Sequence, residues 1–595
     1  MPMKSLASRP EGLPALLTLW LALFTGVSFL LPNQYSPWLS FQQEWCAALA
    51  VAPLALWAVF RSDLSVPRLA WVALLAGALA ALQWAAGLVL FHGDAAMALL
   101  YWWGLGLAMI AGASVVDDGA QRAAKLAAPA RDAAPQNPLS VMAPVWAAVV
   151  LACVVSFGVV IHQWLDLSLL GLFVVDLKPG HRPYGNLAQP NQLSTLFVFG
   201  LMGAAFLFEA RRIGMWAGML AAAVMCGGLV ITQSRSALLI VLWLLFAYFA
   251  LRRRSGLRIR PIVPIALTAT YGGLSLAWPS INHFLLISDS AVRAIDRTTA
   301  GQRAIYWRSM LDAIADHPLW GYGFQQVNMA QRATALDYPA TYGFFESSHN
   351  LVLDLMGWAG VPIALLVLGC ATVWFIRQLR TLSDGLAWAT LATLGAFGVH
   401  SMVEFPLYYA YFLLPVGILT GALSARPRSS RAQQIESRTP LVRTTWVSVA
   451  LACAALYVWV TDEYLAWEED WRTAVFEEKG YANTPPPVVR QVVLLDQIGD
   501  FLWFSRLEPR RAMSASDLER SYRLAQRESN AMVMFKYAKV AALNGEPERA
   551  AEYLRLYQSM HSRRAYRQAR ADWLEASKVW SEMERVALPA AEEGR

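Results

Sequence analysis

Long apolar runs separated by short polar segments fill the chain from residue 13 to residue 460. A transmembrane helix needs roughly 20 consecutive apolar residues, and about thirteen runs come close to that length. The predicted spans are residues 13–31, 41–60, 69–90, 96–115, 142–163, 191–209, 213–232, 236–251, 261–279, 350–376, 384–403, 407–424 and 443–460. The pattern therefore predicts an all-α polytopic membrane protein.

Basic residues predict how these spans are oriented. Lysine and arginine in short loops favour the cytoplasmic side of a membrane. Arg61 with Arg68, and then Arg252 to Arg254, occupy alternate loops that share one side if the N-terminus is cytoplasmic. The opposite, outer side then holds the long polar loop 280–349 and the tail from residue 461.

The tail has a different pattern from the rest of the chain. Apolar density drops after Asp462, and a breaker from Asn483 to Pro487 follows. Three amphipathic helical runs come next, at residues 517–528, 530–544 and 547–561. Spacings in 531–556 resemble one tetratricopeptide unit, a helix pair joined by an Asn-Gly turn, and a plain helical bundle fits the same pattern.

These boundaries predict three regions. Residues 1–163 form N-terminal transmembrane helices, and residues 164–460 form a transmembrane core that includes the outer loop 280–349. Residues 461–595 form a helical, TPR-like outer domain. The basic start of the chain precedes an apolar run without a convincing cleavage site, so we expect an uncleaved first span.

Composition supports a membrane protein. The chain is 57% hydrophobic and 15% charged, with mean hydropathy +0.39, which is a polytopic composition. The net charge of +7 comes mostly from arginines beside apolar spans, which favours contact with membrane lipids over a nucleic-acid partner. The five cysteines fall inside apolar spans without CxxC spacing, so neither a disulfide framework nor a zinc site is expected.

A polar segment from His181 to Gln192 leads into the sixth span. Two prolines and a glycine disfavour regular helix there. At a membrane surface its side chains would form a hydrogen-bonding shelf for substrate; the alternative is a turn with a helix cap. The candidate substrate-binding residues are Arg182, Tyr184, Asn186, Gln189 and Asn191.

Three arginines on the outer side are candidate ligands for a pyrophosphate. Arg235 lies where two spans meet with almost no loop, and Arg303 and Arg308 lie on an amphipathic stretch of the long loop. The bidentate guanidinium suits a diphosphate. The alternative for Arg235 is snorkelling to lipid headgroups.

His349 is the candidate catalytic residue. It ends the long polar loop where the apolar run 350–376 begins, with Asp354 about one helical turn further on. Near-neutral titration suits a general base or a group that positions an acceptor. Tyr408 and Tyr409 at the next outer turn are further substrate-binding candidates, although tyrosines at a membrane interface are commonly belt residues.

Motifs that the chain lacks narrow the chemistry. It contains no phosphate-cradling GxxxxGK[ST], no HExxH and no GxSxG. An enzyme that acts on the outer side without a nucleotide site needs a donor that is already activated. A lipid pyrophosphate fits that requirement, and no metal or other cofactor is expected.

Two of these segments resemble a known family. The run from Pro183 to Asn191 resembles the signature of PglL-type bacterial protein O-oligosaccharyltransferases, which often has glycine where this chain has Ala188. His349-Asn350, nine residues and then Gly360 is similar to the pattern of the wider O-antigen ligase/O-antigen polymerase superfamily. The series from Arg303 to Gly323 is similar to the large periplasmic loop of that superfamily.

The resemblance implies a bacterial inner-membrane enzyme with a cytoplasmic N-terminus and a periplasmic tail. It would transfer an oligosaccharide from undecaprenyl pyrophosphate to serine or threonine of a periplasmic protein or pilin. By motif, Gln189 and His349 would be functional, and Arg235 and Arg303 would hold the pyrophosphate.

Other functions stay open at this point. An O-antigen ligase would use lipid A–core as acceptor, and a repeat-unit polymerase is a further enzyme of the same class. A flippase for lipid-linked oligosaccharide should carry charges within several spans, whereas the notable charges here gather at outer ends. An adaptor that recruits partners through the tail would not require thirteen predicted spans.

Overall fold

The computed structural model describes residues 12–127, 137–178, 181–285, 298–425, 440–478 and 492–590. Within these ranges the chain is built of helices and connecting turns, without strands. The all-α prediction is confirmed for them. The predicted breaker from Asn483 to Pro487, the start of the chain before residue 12 and residues 286–297 of the long loop lie outside the described residues.

A helix lies at each of the thirteen predicted spans. Two further helices, α10 and α11, lie in the long loop. The helices up to residue 478 are α1 (Leu13–Ser28), α2 (Phe41–Val59), α3 (Arg68–Ala85), α4 (His92–Ala127), α5 (Ala143–Trp164), α6 (Pro190–Glu209), α7 (Met215–Thr232), α8 (Arg235–Ser255), α9 (Ile262–Phe284), α10 (Thr298–Asp316), α11 (Val327–Thr334), α12 (Leu351–Arg380), α13 (Gly385–Ser401), α14 (Ala410–Ser424) and α15 (Pro440–Glu478).

Among the described residues, nine helices are long and apolar enough to cross a membrane. Helices α1 and α14 are apolar but shorter. The polar residues Gln42, Gln43 and Glu44 open α2, and α13 has only 17 residues. The chain is therefore a multi-pass membrane protein by length and composition, and the number thirteen stays a prediction.

The chain divides into two compact units. The first comprises residues 1–74, 102–295 and 370–454. Its helices α4 and α14 cross closely because both carry glycine at the contact: a Cβ on Gly112 would lie 2.0 Å from the Ile418 carbonyl oxygen, and one on Gly421 would lie 1.8 Å from that of Met109. Small residues at such crossings let helix backbones approach within a membrane.

The second unit comprises residues 75–101, 296–369 and 455–595. Its tail helices are α16 (Asp496–Arg506), α17 (Ala515–Arg527), α18 (Ala531–Leu543), α19 (Pro547–Met560), α20 (Arg563–Ser577) and α21 (Ser581–Glu584). The three predicted amphipathic runs coincide with α17, α18 and α19. Gly545, at φ 86°, allows the turn between α18 and α19, which pack around a core that includes Tyr537 and Tyr553.

Side-chain caps explain where several tail helices begin. The side-chain oxygens of Ser514, Asn530 and Ser562 accept hydrogen bonds from the third backbone N–H further along the chain, at 3.1, 3.0 and 3.2 Å. Serine and asparagine are favoured at this position because they satisfy amides that the helix leaves unpaired.

Helix α12 is broken at Gly360, which has φ 79° and ψ 165°. The Val361 N–H donates to the Pro318 carbonyl at 2.7 Å, and the Tyr322 N–H donates to the Gly357 carbonyl at 2.7 Å. A Cβ on Gly360 would lie 2.2 Å from the Leu319 carbonyl oxygen. The predicted span 350–376 is thus two helical segments, with loop residues 318–322 paired at the break.

The second unit groups part of the long loop with the tail, because residues 296–369 and 455–595 cluster together. The three predicted regions, with the long loop inside residues 164–460, stay a prediction. Loop and tail share helix-end hydrogen bonds. Since partners of this kind are distant in sequence, hydrophobic patterning carries no signal for them.

Candidate functional site

The loop before α6 is held by an amide from α5. The Gln163 side-chain oxygen accepts from the N–H groups of Tyr184 and Gly185, at 3.1 and 2.8 Å. Its amide nitrogen donates to the carbonyls of Val175 and Gly185, at 2.8 and 3.2 Å. A single side chain thus replaces the regular backbone bonding that the prolines of this loop prevent.

Tyr184 and Asn186 are part of the same scaffold. Asn186 is 4% exposed, and its amide nitrogen donates to the carbonyls of Leu30 and Phe173 at 2.7 and 3.0 Å. Its side-chain oxygen accepts from the Val175 N–H at 3.2 Å. The buried Tyr184 hydroxyl donates to the Asp176 carbonyl at 2.5 Å. Both predicted binding residues are engaged with backbone and fix the shape of the loop.

Arg182 and Arg235 are near enough to repel each other. Arg182 donates to the carbonyls of Thr232 and Gln233, at 3.2 and 2.7 Å, which are orphan groups at the end of α7. Burial and the positive charge of Arg235 lower the pKa of Arg182, and the Glu404 carboxylate opposes this shift. Arg235 opens α8 and is exposed. Two guanidinium groups therefore share one edge of the first unit.

Asn191 links this edge to the turn after α13. Its amide nitrogen donates to Glu404 at 2.8 Å, and its side-chain oxygen accepts from the Ser234 hydroxyl at 2.8 Å. Ser234 is the N-cap of α8 and directly precedes Arg235. Asn191 thus helps to orient the start of α8. Gln189 is the N-cap residue of α6, and its half-buried side chain makes no capping hydrogen bond.

The two predicted tyrosines lie in an aromatic cluster. Tyr408 and Tyr409 are half-buried. Tyr408 contacts Phe405 edge-on, with ring centroids 5.6 Å apart, and Tyr409 lies between Phe405 and Tyr411, at 6.0 and 5.2 Å. The fully buried Tyr411 donates to the Gln192 side chain at 2.5 Å. The cluster fixes the turn that also holds Glu404.

His349 lies on a turn in the second unit, in the left-handed conformation with φ 55°. Its N–H donates to the Ser347 hydroxyl oxygen at 3.0 Å. Its half-buried ring stands edge-on to Phe345, with centroids 6.0 Å apart. Non-glycine residues occupy this backbone region at a cost of about 1–3 kcal/mol and do so where the surroundings enforce it.

Asp354 enforces that turn. The carboxylate is 2% exposed and accepts from the Ser347 hydroxyl and the Ser348 N–H, both at 2.7 Å. The Asn350 side chain accepts from the N–H groups of Val352 and Leu353, at 2.9 and 3.2 Å, and so begins α12. The Ser347 and Asn350 side chains and the Asp354 carboxylate thus hold His349 at the start of the helix.

Helix α10 connects Arg303 with the same turn. The Trp307 indole N–H donates to the Ser348 carbonyl at 2.8 Å. Arg303 lies one helical turn before Trp307, on the same face. Arg308 is exposed. The hydrogen bond between the Tyr338 hydroxyl and Asp312 raises the pKa of Tyr338, and the positive charge of Arg308 opposes this shift. The two predicted arginines of α10 therefore lie on different faces, and Arg303 is the one on the side of the His349 turn.

The sequence singled out His349 and Asn191 as site residues but gave no role to several residues that hold them. It placed Asp354 about one helical turn after His349, and the structure adds that this carboxylate bonds Ser347 and Ser348. Gln163 and Glu404 are polar residues at span ends, a weaker signal. Gln331 and Arg332 of α11 belong to no motif, and nothing in the sequence pattern singled them out.

Three family models match successive parts of the chain. A model described as protein glycosylation ligase matches residues 183–208, and one described as O-antigen ligase matches residues 220–368. A third, described as virulence factor membrane-bound polymerase, C-terminal, matches residues 388–576, which include most of the tail. The first begins at Pro183, and the second contains His349.

Two relatives from Acinetobacter baylyi are similar to the chain. A protein named general O-oligosaccharyltransferase is 26% identical over 583 residues, which covers 95% of this chain and 96% of the relative. A protein named ComP-specific O-oligosaccharyltransferase is 30% identical over 277 residues, or 46% of this chain and 49% of that one. The models and these relatives together support a PglL-type protein glycosylation ligase of the O-antigen ligase superfamily as the family that this chain is similar to.

Proposed function

We propose that this protein transfers an oligosaccharide from undecaprenyl pyrophosphate to serine or threonine hydroxyls of periplasmic or pilin proteins. The His349 turn carries the proposal, because a buried carboxylate and two serines hold one titratable side chain in a left-handed backbone conformation. Similarity over 95% of the chain to a protein named general O-oligosaccharyltransferase supports the reaction class.

The donor pyrophosphate is proposed to bind Arg182 and Arg235. These guanidinium groups repel each other, so an anion placed against both would lower that repulsion and gain charge-assisted hydrogen bonds. Such contacts strengthen as the departing pyrophosphate gains charge in the transition state. Arg303 and Arg308 are also proposed to contact the donor, and substitution of each arginine by lysine tests this proposal.

The acceptor hydroxyl is proposed to react next to His349. Its oxygen attacks the anomeric carbon and forms the new glycosidic bond, while the bond from that carbon to the pyrophosphate oxygen breaks. The pyrophosphate leaves with the electron pair, and a ring nitrogen of His349 accepts the hydroxyl proton. If His349 only orients the hydroxyl, the proton passes to water.

The other predicted residues are proposed to shape the acceptor and donor surfaces. Gln189 has a side chain that does not cap α6, so it is the loop residue best placed to contact the glycan. Tyr184, Asn186 and Asn191 hold the loop and the start of α8, and Tyr408 and Tyr409 hold the turn at Glu404. The TPR-like tail is proposed to be periplasmic and to receive the acceptor protein.

The proposed site requires the long loop and the tail to lie on the periplasmic side of the membrane. We propose thirteen spans in the bacterial inner membrane, with a cytoplasmic N-terminus. Reporter fusions after Arg254 should report the cytoplasm, and fusions after Asp462 should report the periplasm. A cytoplasmic tail would contradict both the orientation and the site.

An O-antigen ligase is the second candidate, since a model with that description matches residues 220–368. Intact-mass analysis of periplasmic proteins from cells with and without this gene, beside a gel of their lipopolysaccharide, separates the two functions. A glycan-sized mass loss on a protein supports the proposal. Loss of glycan from lipopolysaccharide with unchanged protein masses would replace it with the ligase.

A further inference from the structure

Helix α11 caps a tail helix from outside. The Asn328 side chain donates to the Arg527 carbonyl at 2.8 Å, and Arg332 donates to the Gln526 carbonyl at 2.9 Å and also to that of Ala525. These are last-turn carbonyls of α17, which lack partners within their own helix. Asn328 and Arg332 are four residues apart and share one face of α11.

A second tail helix holds the same stretch of chain. Arg332 donates to the Tyr553 hydroxyl at 2.7 Å, and its guanidinium carbon lies 4.6 Å from the centroid of that ring. Near the end of α19, the Ser559 hydroxyl donates to the Ala335 carbonyl at 3.0 Å, and the Ser559 carbonyl accepts from the Tyr342 N–H at 2.9 Å. The tail therefore binds α11 and the segment that follows it through hydrogen bonds.

Other side chains of α11 reach the segment that ends at His349. Gln331 is 2% exposed; its amide nitrogen donates to the Gly343 carbonyl at 3.0 Å, and its oxygen accepts from the Phe345 N–H at 2.9 Å. The Phe345 ring contacts the His349 ring. Thr334 shares a 2.7 Å hydrogen bond with Ser309 of α10, the helix that carries Arg303.

We propose that α11 transmits the position of the tail to the His349 turn, with Arg332 and Gln331 as its two positioning residues. An eight-residue helix is too short to be stable alone, so its neighbours decide where it lies. Arg332 ties it to the tail, and Gln331 ties the turn to it. The inference rests on the proposed role of His349.

Two substitutions test the two ends of this connection. Arg332→Lys keeps the charge but loses the fork that reaches Tyr553 and the α17 carbonyls together. Gln331→Met keeps the shape but removes both hydrogen bonds to residues 343–345, and it leaves every tail contact of Arg332 in place. Arg511→Lys is the matched control, because Arg511 also pairs through two nitrogens, with Glu582, and covers the Trp580 ring.

The measurements are turnover by purified, reconstituted enzyme and backbone hydrogen exchange of the peptide that spans 343–350. A misplacement of about 1 Å can cost about 10²-fold in rate, so we expect kcat to fall about 10- to 100-fold in Arg332→Lys and Gln331→Met, with KM for the donor unchanged. Exchange in 343–350 should rise in both variants, while α18 and α19 stay protected. Arg511→Lys should match the parent.

Parent-like turnover and exchange in both variants would overturn the inference. So would Arg332→Lys exposing α18 and α19 while Gln331→Met behaves as the parent, because Arg332 would then serve only the fold of the tail. The proposed function fails by a different result: full transfer in His349→Ala would remove the role of His349, while exchange would still report whether α11 holds the turn.

Discussion

The loop at 181–191 and the turn at 346–354 look alike in sequence, since each is a polar cluster that runs into an apolar span. Their structures differ in how the polar groups are used. In the loop, the buried Asn186 side chain donates hydrogen bonds to the carbonyls of Leu30 and Phe173, which lie 156 and 13 positions earlier in the sequence. At the turn, the hydrogen bonds of the Ser347 and Asp354 side chains join residues within seven positions of each other, and the His349 ring is half-buried beside Phe345. Only the Trp307 bond to the Ser348 carbonyl, among the hydrogen bonds described above for this turn, comes from another helix.

We therefore expect the motif residues of the loop and of the turn to be needed for different reasons. The loop uses its amides to replace backbone hydrogen bonds that prolines remove, and it leaves Arg182 and Arg235 at its edge. The turn uses Asp354 to hold a strained backbone and present one side chain. Substitutions in the loop scaffold should therefore affect stability, and substitutions at the turn should affect rate.

The largest effect is expected at His349. His349→Ala should lower transfer by about 10²- to 10⁴-fold, the usual contribution of a general acid–base group, while donor binding survives. His349→Gln separates the two roles, because an amide hydrogen-bonds but does not accept a proton at neutral pH. Transfer to an acceptor protein is followed by intact mass at matched amounts of inserted enzyme. Near-normal transfer in the Ala variant would show that His349 is not the catalytic residue.

Arg235 should give the next largest effect. Arg235→Lys keeps the charge but loses bidentate contact, and a hydrogen bond to a charged group is worth about 1.5–3 kcal/mol, so transfer at limiting donor should fall about 10- to 100-fold. Arg253→Lys at the other end of α8 is the control and should be neutral. Equal rates in both variants would leave Arg235 a lipid-snorkelling residue.

On α10, Arg303 should matter more than Arg308. Arg303 shares a face with Trp307, which bonds the turn, whereas Arg308 lies beside Asp312 and Tyr338. We expect Arg303→Lys to slow transfer several-fold more than Arg308→Lys in the same donor titration. The reverse order would contradict the assignment of faces and return Arg308 to the donor site.

Asn186 should behave as scaffold. Asn186→Ala removes the hydrogen bonds that this buried side chain makes to the Leu30 and Phe173 carbonyls and to the Val175 N–H, at a cost of about 1–3 kcal/mol. The melting temperature of the purified protein in detergent should fall, while the rate per folded molecule changes less than in Arg235→Lys. A parent-like melting temperature together with a large loss of rate would make Asn186 a substrate contact.

The smallest effect is expected at Ala188. This residue has φ 55° and ψ 14°, a left-handed conformation that glycine adopts without cost. Ala188→Gly should therefore stabilise the protein by about 0.5–1 kcal/mol. Ala571→Gly, at an exposed position within α20, should instead destabilise it by about 1 kcal/mol. Thermal unfolding of both variants checks the two signs, and a destabilised Ala188→Gly would contradict the reading of this turn.

The sequence predicted helices well because span length and amphipathic spacing are local properties. All thirteen predicted spans and the three tail runs contain a described helix. It also selected His349, since a polar-to-apolar boundary is visible in one dimension. It did not predict the break at Gly360, because loop residues 318–322 impose that conformation. The sequence pattern does not single out Arg332, because its carbonyl partners lie 193 and 194 residues further along the chain.

The central claim is that the His349 turn serves transfer of a lipid-linked glycan to protein. The most direct measurement supplies purified enzyme in liposomes with undecaprenyl-pyrophosphate oligosaccharide, a candidate acceptor pilin and lipid A–core in one reaction. We predict that the pilin gains the mass of the glycan at a serine or threonine, that lipid A–core stays unmodified, and that His349→Ala lowers the rate of this gain about 10²- to 10⁴-fold. Glycan on lipid A–core alone, or equal transfer by parent and His349→Ala enzyme, would contradict the account.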